Sequence, residues 1–321
     1  MAVESPNDSP AAVPPIERRS VEAGGLQFAV ATCETQSSGG RLALCLHGFP
    51  ETWRSWVHQI PCLAELGYRV WVPDLRGYGE TTRPGQMQDY AVEKLMGDVA
   101  ALIDAAEADS VVLVGHDWGG MIAWWFATRR LRELEKLVIM NVPHPEVFAQ
   151  QMNPRQLLRS WYAMFFQLPW LPERVLTRRQ PLRFVEKMVA GFQNPENVDA
   201  ETRALLAQNF SERARVKAML DYYRAVSRGG GARRQRKLGY PVIETPTLML
   251  WGLDDVALGV ETTYGTDAFV SDLTLRYLEN ASHFVQQDAP VLVNRLLSAW
   301  LRGDPVPDEG EAEGIRVRTR A

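Results

Sequence analysis

Cysteine is scarce, with Cys33, Cys45 and Cys62 the only three in 321 residues. Three thiols exclude a disulfide framework, and an odd count leaves one unpaired in any case. Cys45 sits inside an apolar run and reads as a small core residue, so a reducing, cytoplasmic setting is expected. Long hydrophobic runs are missing as well. None approaches the roughly 18 apolar residues of a membrane helix, and no membrane span is expected. Charge of one sign is also lacking. The net charge is −4, which gives no basic footprint for a nucleic acid partner. Residues 1–15 carry Pro, Ser, Asn and Asp without an apolar segment, so 1–20 is expected as a disordered tail rather than a signal peptide. Residues 303–321, rich in Pro, Glu, Gly and Arg, are expected as a second disordered tail.

What is present is a chain long enough to bury a large core, 46% hydrophobic and 23% charged, the composition of a globular protein. Residues 26–33 alternate loosely and predict an antiparallel strand. Leu42-Ala43-Leu44-Cys45-Leu46 is continuously apolar, the pattern of a strand covered on both faces. Residues 53–66 have helical spacing and stop at Gly67. A strand over 68–74, an amphipathic helix over 92–107 and strands over 111–114 and 137–140 follow. This alternation predicts a mostly parallel sheet with helices on both faces. It stops at about Glu146, and from there to Gly239 the patterns are helical, with prolines, many arginines and no strand. Strands return at 247–252 and 273–278, before a closing helix over 289–301. A core over 21–145 and 240–302 is therefore expected, with a helical cap over 146–239. The basic run at 228–237, Arg-Gly-Gly-Gly-Ala-Arg-Arg-Gln-Arg-Lys, could meet a polyanion, but a solvated return loop is the plainer reading.

The chemistry centres on Val111-Val112-Leu113-Val114-Gly115-His116-Asp117-Trp118-Gly119-Gly120. A buried strand runs into a sharp turn and then a helix, and small residues flank the turn because the backbone is crowded there. Such a turn holds one side chain proud of the sheet edge. The position usually belongs to serine, and here it is Asp117. A carboxylate is ionised at neutral pH, needs no base to activate it, and can attack an electrophilic carbon to form an ester. Hydrolysing that ester requires a histidine to deprotonate water and an acid to orient the histidine. Of five histidines, only His283 falls in a loop after the last strand. For the acid, the loop after Trp251-Gly252 offers Asp254 and Asp255, and Asp255, fourth in the Gly-x-x-Asp turn, is preferred. The position after the strand ending at Met140 holds Asn141, which cannot carry the charge. Backbone N–H groups of Phe49 and Trp118 are placed to form an oxyanion hole. His47 and Glu51 read as supports of that turn, and Asp74 and Arg76 as braces of the neighbouring loop.

His47-Gly48-Phe49-Pro50-Glu51, Asp74-Leu75-Arg76-Gly77-Tyr78-Gly79, Gly115-His116-Asp117-Trp118-Gly119-Gly120 and the Asp255/His283 pair together resemble the epoxide hydrolases, the aspartate-nucleophile branch of the α/β-hydrolase superfamily. The likeness runs from about residue 20 to residue 302. It implies an α/β-hydrolase fold with an inserted helical cap and cofactor-independent, metal-free hydrolysis of a small apolar epoxide to a vicinal diol. It also implies two cap tyrosines that hydrogen-bond the epoxide oxygen and protonate it. Tyr162 matches the first and Tyr223 the second. Tyr222 is adjacent, and neighbours on a helix point about 100° apart, so only one of that pair faces the site. Phe49, Trp118, Trp161 and Phe165 are expected around the substrate, although Trp161, Phe165, Phe166, Trp170 and Leu171 would serve equally as packing inside the cap. A homodimer is left open.

Two other readings share these motifs. A haloalkane dehalogenase would use the same Asp117, but a halide leaves without a proton and needs only N–H donors, and Phe49 stands where that family usually carries Asn. A catalytically inactive ligand-binding homologue would keep the pocket without turnover.

Overall fold

The computed structural model describes residues 14–35, 39–312 and 314–319. Ten strands form a single sheet: β1 Glu17–Ala23, β2 Leu26–Cys33, β3 Arg41–Leu46, β4 Arg69–Pro73, β5 Ser110–His116, β6 Lys136–Met140, β7 Thr247–Gly252, β8 Leu273–Glu279, β9 Gly310–Ala312 and β10 Ile315–Arg318. Their spatial order is β1-β2-β4-β3-β5-β6-β7-β8-β10-β9. The six strands from β4 to β8 are parallel. The outer pairs on either side are antiparallel.

Parallel strands are covered on both faces, which explains the unbroken apolar runs. Leu42, Leu44 and Leu46 of β3 enter one core with Val111, Leu113, Leu137, Ile139, Met249 and Trp251. Ala43 and Cys45 enter the other, with Val112, Val114, Val138, Met140, Leu248 and Leu250. Helices α1 (Gln59–Glu65) and the closing helix over Pro290–Arg302 supply Ile60, Leu63, Leu292 and Leu296 to the second core. Helices α2 (Val92–Ala106) and α3 (Trp118–Arg129) cover the first. The stretch expected as one helix over 53–66 is broken into a 3-10 turn, Trp53–Trp56, and α1.

Between β6 and β7 the chain is helical. The helices are α4 Pro145–Gln150, α5 Pro154–Arg159, α6 Trp161–Phe165, α7 Leu171–Leu176, α8 Pro181–Val189, α9 Ala200–Asn209, α10 Arg213–Ser227 and α11 Gly231–Lys237. This segment is tied to the core by buried polar contacts. Arg54 Nε donates to Thr202 Oγ1 at 3.0 Å, and Asn209 Nδ2 donates to the Pro50 and Glu51 carbonyls at 2.8 and 3.1 Å.

Three expectations need correction. The tail expected over 303–321 contains β9 and β10, and β10 pairs with β8 through Arg316↔Glu279, Val317↔Leu278 and Arg318↔Tyr277. Ile315 and Val317 point into the second core while their neighbours face out. The tail expected over 1–20 overlaps β1, whose first four residues are exposed; its first thirteen residues lie outside the described residues. The basic run at 228–237 is not a loop over most of its length, because residues 231–237 fold into α11. Arg234 pairs there with Glu93 of α2 at 2.9 Å, and Gln235 is buried.

Candidate active site

The sheet reverses its winding at β3 and β5, which lie side by side although β4 falls between them in sequence. Ligands of open parallel sheets bind at the carboxyl ends of such strands. Both strands end there in tight turns. Asp117, after β5, has φ 47° and ψ −118°, a conformation that side chains rarely adopt. The glycines around it are dictated by contact. A Cβ on Gly119 would lie 2.2 Å from the Leu46 carbonyl oxygen, and one on Gly115 would lie 2.6 Å from Gly120 Cα. One on Gly48 would lie 2.4 Å from Asp117 Cβ. The turns after β3 and β5 are thus pressed together. The result is that Phe49 N–H donates to Asp117 Oδ1 at 2.7 Å. Trp118 is the first residue of α3, so helix geometry leaves its N–H without an intrahelical acceptor.

Asp117 Oδ2 lies 3.5 Å from His283 Nε2. His283, in the loop after β8, holds Asp255 Oδ2 through Nδ1 at 2.6 Å. Asp255 is fixed by three further donors: the N–H groups of Ala257 and Leu258 on Oδ1, at 2.7 and 2.9 Å, and Asn141 Nδ2 on Oδ2, at 2.9 Å. Burial pushes both carboxyls up, but the neighbouring His283 outweighs it and holds Asp117 and Asp255 below the ordinary carboxylate range. Burial pushes His283 down, but Asp255 and Asp117 together hold it well above the ordinary histidine range.

Beneath this triad lies a buried pair whose geometry motif reading did not supply. Both ring nitrogens of His116 meet acceptors, Glu51 Oε2 at 2.7 Å on Nδ1 and the His283 carbonyl at 2.8 Å on Nε2. Glu51 is surrounded by donors. Gly48 N–H reaches Oε2 at 2.9 Å, and Gln286 and Gln287 reach Oε1 at 3.1 and 2.9 Å. The contacts around Glu51 suit a carboxylate. His47 Nε2 accepts from Leu75 N–H at 3.0 Å, and Asp74 Oδ1 accepts from Trp53 N–H at 2.9 Å. Arg76 Nε donates to Asp98 at 2.7 Å. These four side chains hold loops together, as their positions predict.

Above the triad stand aromatic side chains from the helical segment. Tyr223 of α10 packs edge-on against Trp118 at 4.9 Å and Phe49 at 5.6 Å, measured between ring centroids. Tyr162 of α6 lies 6.2 Å from Tyr223. Burial first, and then the charge of Asp117, raise the hydroxyls of both above the ordinary tyrosine range. Tyr222 is turned away, and its hydroxyl donates to the Arg76 carbonyl at 2.7 Å. The helical offset between neighbours therefore leaves Tyr223 over Asp117.

Two expected pocket residues fare differently. Phe165 is half-buried and touches Phe166 at 6.1 Å. Trp161 is 64% exposed and does not line the site. Trp170, weighed as a lining or packing residue, is also exposed. The ring that does pack there is Phe166, buried at 5.5 Å from Phe49 and 5.1 Å from Tyr223. Its helical offset from Tyr162 was a signal available in the sequence, since residues four apart share a face.

Comparison with known proteins agrees with this geometry. A model of the α/β hydrolase fold family matches residues 44–290. Epoxide hydrolase 4 of Homo sapiens is 36% identical over 271 residues, covering 82% of this chain and 73% of that protein. The AB hydrolase superfamily protein YfhM of Bacillus subtilis (strain 168) is 33% identical over 285 residues, covering 88% and 96%. Among solved structures, epoxide hydrolase A from Mycobacterium thermoresistibile superposes with a TM-score of 0.77 at 26% identity, covering 91% of this chain and 100% of that one. Potato (Solanum tuberosum) epoxide hydrolase I gives 0.76 at 26% identity, covering 90% and 100%.

Proposed function

The chain belongs to the α/β-hydrolase family and is an epoxide hydrolase, and on that premise we propose how its residues divide the reaction. Asp117 Oδ2 attacks an epoxide carbon, and the carbon–oxygen bond on the far side breaks. The opening alkoxide is too basic to leave unprotonated, and Tyr162 or Tyr223 supplies the proton. The product of this half is an ester between Asp117 and the substrate. Esterification removes the negative charge of Asp117, one of the two charges that hold His283 protonated. His283 then titrates lower, gives its proton by way of solvent to the tyrosinate, and as the neutral ring takes a proton from water. The hydroxide adds to the ester carbonyl, and the oxyanion forms on Oδ1, where Phe49 N–H already donates and Trp118 N–H is free to join. Collapse of this intermediate breaks the bond between the carbonyl carbon and the diol oxygen; the departing alkoxide takes the proton held by His283, and the carboxyl of Asp117 returns its proton to the ring, which restores the carboxylate.

The observation that carries the reading is the division of one carboxylate. Oδ1 is held by the Phe49 amide, and Oδ2 faces His283 with two tyrosines overhead. A single turnover on styrene oxide in heavy-oxygen water is the test. Asp117 should acquire one labelled oxygen, and label appearing only in the diol would exclude the ester. The dehalogenase reading has less support, because Phe49 offers no side-chain donor to a departing halide. Among the described residues no helix is long and apolar enough to cross a membrane. Three free thiols support a cytoplasmic setting.

A further inference from the structure

The helix that carries Tyr162 has a second face. Helices α5 and α6 follow one another through Ser160, whose φ −86° and ψ 13° keep the chain right-handed. Leu157, Trp161 and Met164 are spaced by four and three residues, so they share the face opposite Tyr162 and Phe166. They are 57%, 64% and 70% exposed, with Leu158 at 76% beside them. Isolated exposed apolar side chains are ordinary, but a contiguous row of large ones marks a contact surface.

The charge around the row is lopsided. Residues 152–183 contain six arginines and one acidic residue, Glu173, in a chain whose net charge is −4. Glu173 is buried and paired with Arg224 at 2.6 Å. Arg155 lies 3.7 Å from Glu261, a weak exposed pair. Arg174, Arg178, Arg179 and Arg183 are exposed and form no ion pair among the described residues. Exposed Trp170 lines one depression with Arg174 and Arg213.

From this we infer that the α5–α8 face docks on the surface of an anionic phospholipid bilayer. Apolar side chains enter the acyl boundary, tryptophans sit at headgroup level, and arginines meet the lipid phosphates and carboxylates. A second copy of the chain is the less favoured occupant. A two-fold interface sets the same patch against itself and would bring arginines onto arginines. The inference goes beyond the proposed reaction and does not depend on it, because docking uses no residue of the triad.

Co-sedimentation of the full chain with vesicles of phosphatidylcholine and phosphatidylserine at about two to one tests it. Binding should be several-fold greater than to phosphatidylcholine alone and should fall as salt rises. Leu157→Glu with Met164→Glu should reduce binding by about tenfold while circular dichroism stays unchanged. Arg178→Glu with Arg179→Glu should remove the preference for the anionic lipid. Absence of vesicle binding overturns the inference, as does binding that neither pair of substitutions alters. A concentration-dependent dimer that Leu157→Glu with Met164→Glu dissociates, in a protein that ignores vesicles, also overturns it and assigns the face to a second copy.

Discussion

The floor and the roof of the site are built by different means. On the floor, Asp117, Asp255, His283, Glu51 and His116 are each fixed by directional bonds, and Asp255 alone has one partner in His283, two in backbone amides and one in Asn141. On the roof, Tyr162 and Tyr223 are placed by ring edges, from Phe49, Phe166 and Trp118. In the proposed reaction the floor supplies charge for attack and hydrolysis. The roof supplies hydroxyls, raised above the ordinary tyrosine range by burial, to protonate the alkoxide. A substitution on the floor should therefore stop a chemical step outright, and one on the roof should slow a single step.

The largest effect is expected for Asp117→Ala. With no carboxylate there is no ester, and kcat/KM for diol formation should fall by a factor on the order of 10⁴ or more. Retained turnover within tenfold of wild type would break the division between floor and roof. Next comes His283→Gln, which should leave ester formation intact and block its hydrolysis. Intact-protein mass spectrometry should show a stable adduct one substrate heavier, with turnover reduced by about 10³-fold.

The same histidine gives a pH prediction. His283 is raised by Asp255 and Asp117 against the lowering effect of burial. Asp117→Asn removes one of those charges without changing the shape of the site, so the His283 pKa should fall, and NMR titration of the imidazole would read it directly. In the wild type, ester hydrolysis should speed up as pH rises through the His283 pKa of the ester state, because only the neutral ring accepts a proton. A pKa unchanged by Asp117→Asn would show that Asp255 alone sets the charge of His283.

The roof should respond by degrees. Tyr162→Phe or Tyr223→Phe alone should slow ester formation about tenfold, since the other hydroxyl remains, and the double substitution should slow it by 10² to about 10⁴. Hydrolysis of a preformed ester should be unaffected in all three. A slowed hydrolysis step would mean that the tyrosines also organise the floor.

The same contrast explains what could be read from the sequence. The parallel strands were legible because both their faces are buried, which leaves runs such as residues 42–46 and 111–114 with no polar interruption. Strand β1 was missed because it is an edge whose residues Glu17, Arg18, Arg19 and Ser20 are exposed. Strands β9 and β10 were missed because only Ile315 and Val317 carry an inward pattern, among glycine and charge. The run Gly229-Gly230-Gly231 suggested a loop, yet Gly230 at φ 72° caps α11, Gly231 is its first residue, and Glu93 anchors it from elsewhere in the chain. On the floor, Asp117, Asp255 and His283 each follow a strand end, so local motifs point to them, whereas the pairing of His116 with Glu51 shows only in three dimensions. Trp161 was misplaced and Phe166 undervalued because α6 is five residues long, and which side of it faces inward depends on α10 and on Phe49, far away in sequence.

The smallest expected effect separates chemistry from support. Tyr222 and Tyr223 are adjacent on α10, equally aromatic and both in contact with Trp118, Tyr222 buried and Tyr223 half-buried. Tyr222 differs in spending its hydroxyl on the Arg76 carbonyl, a contact between the helical segment and the loop after β4. Tyr222→Phe removes one hydrogen bond and leaves a buried carbonyl short of a donor, a cost of about 1–2 kcal/mol. That loss should appear as a Tm lowered by a few degrees, with the rate of ester formation within a factor of about two of wild type. The neighbouring Tyr223→Phe should show the reverse, a slowed ester formation with little change in Tm. If Tyr222→Phe instead slowed ester formation as much as Tyr223→Phe, the proton would have to pass through the Arg76 contact, and the roof would share the bonded character of the floor.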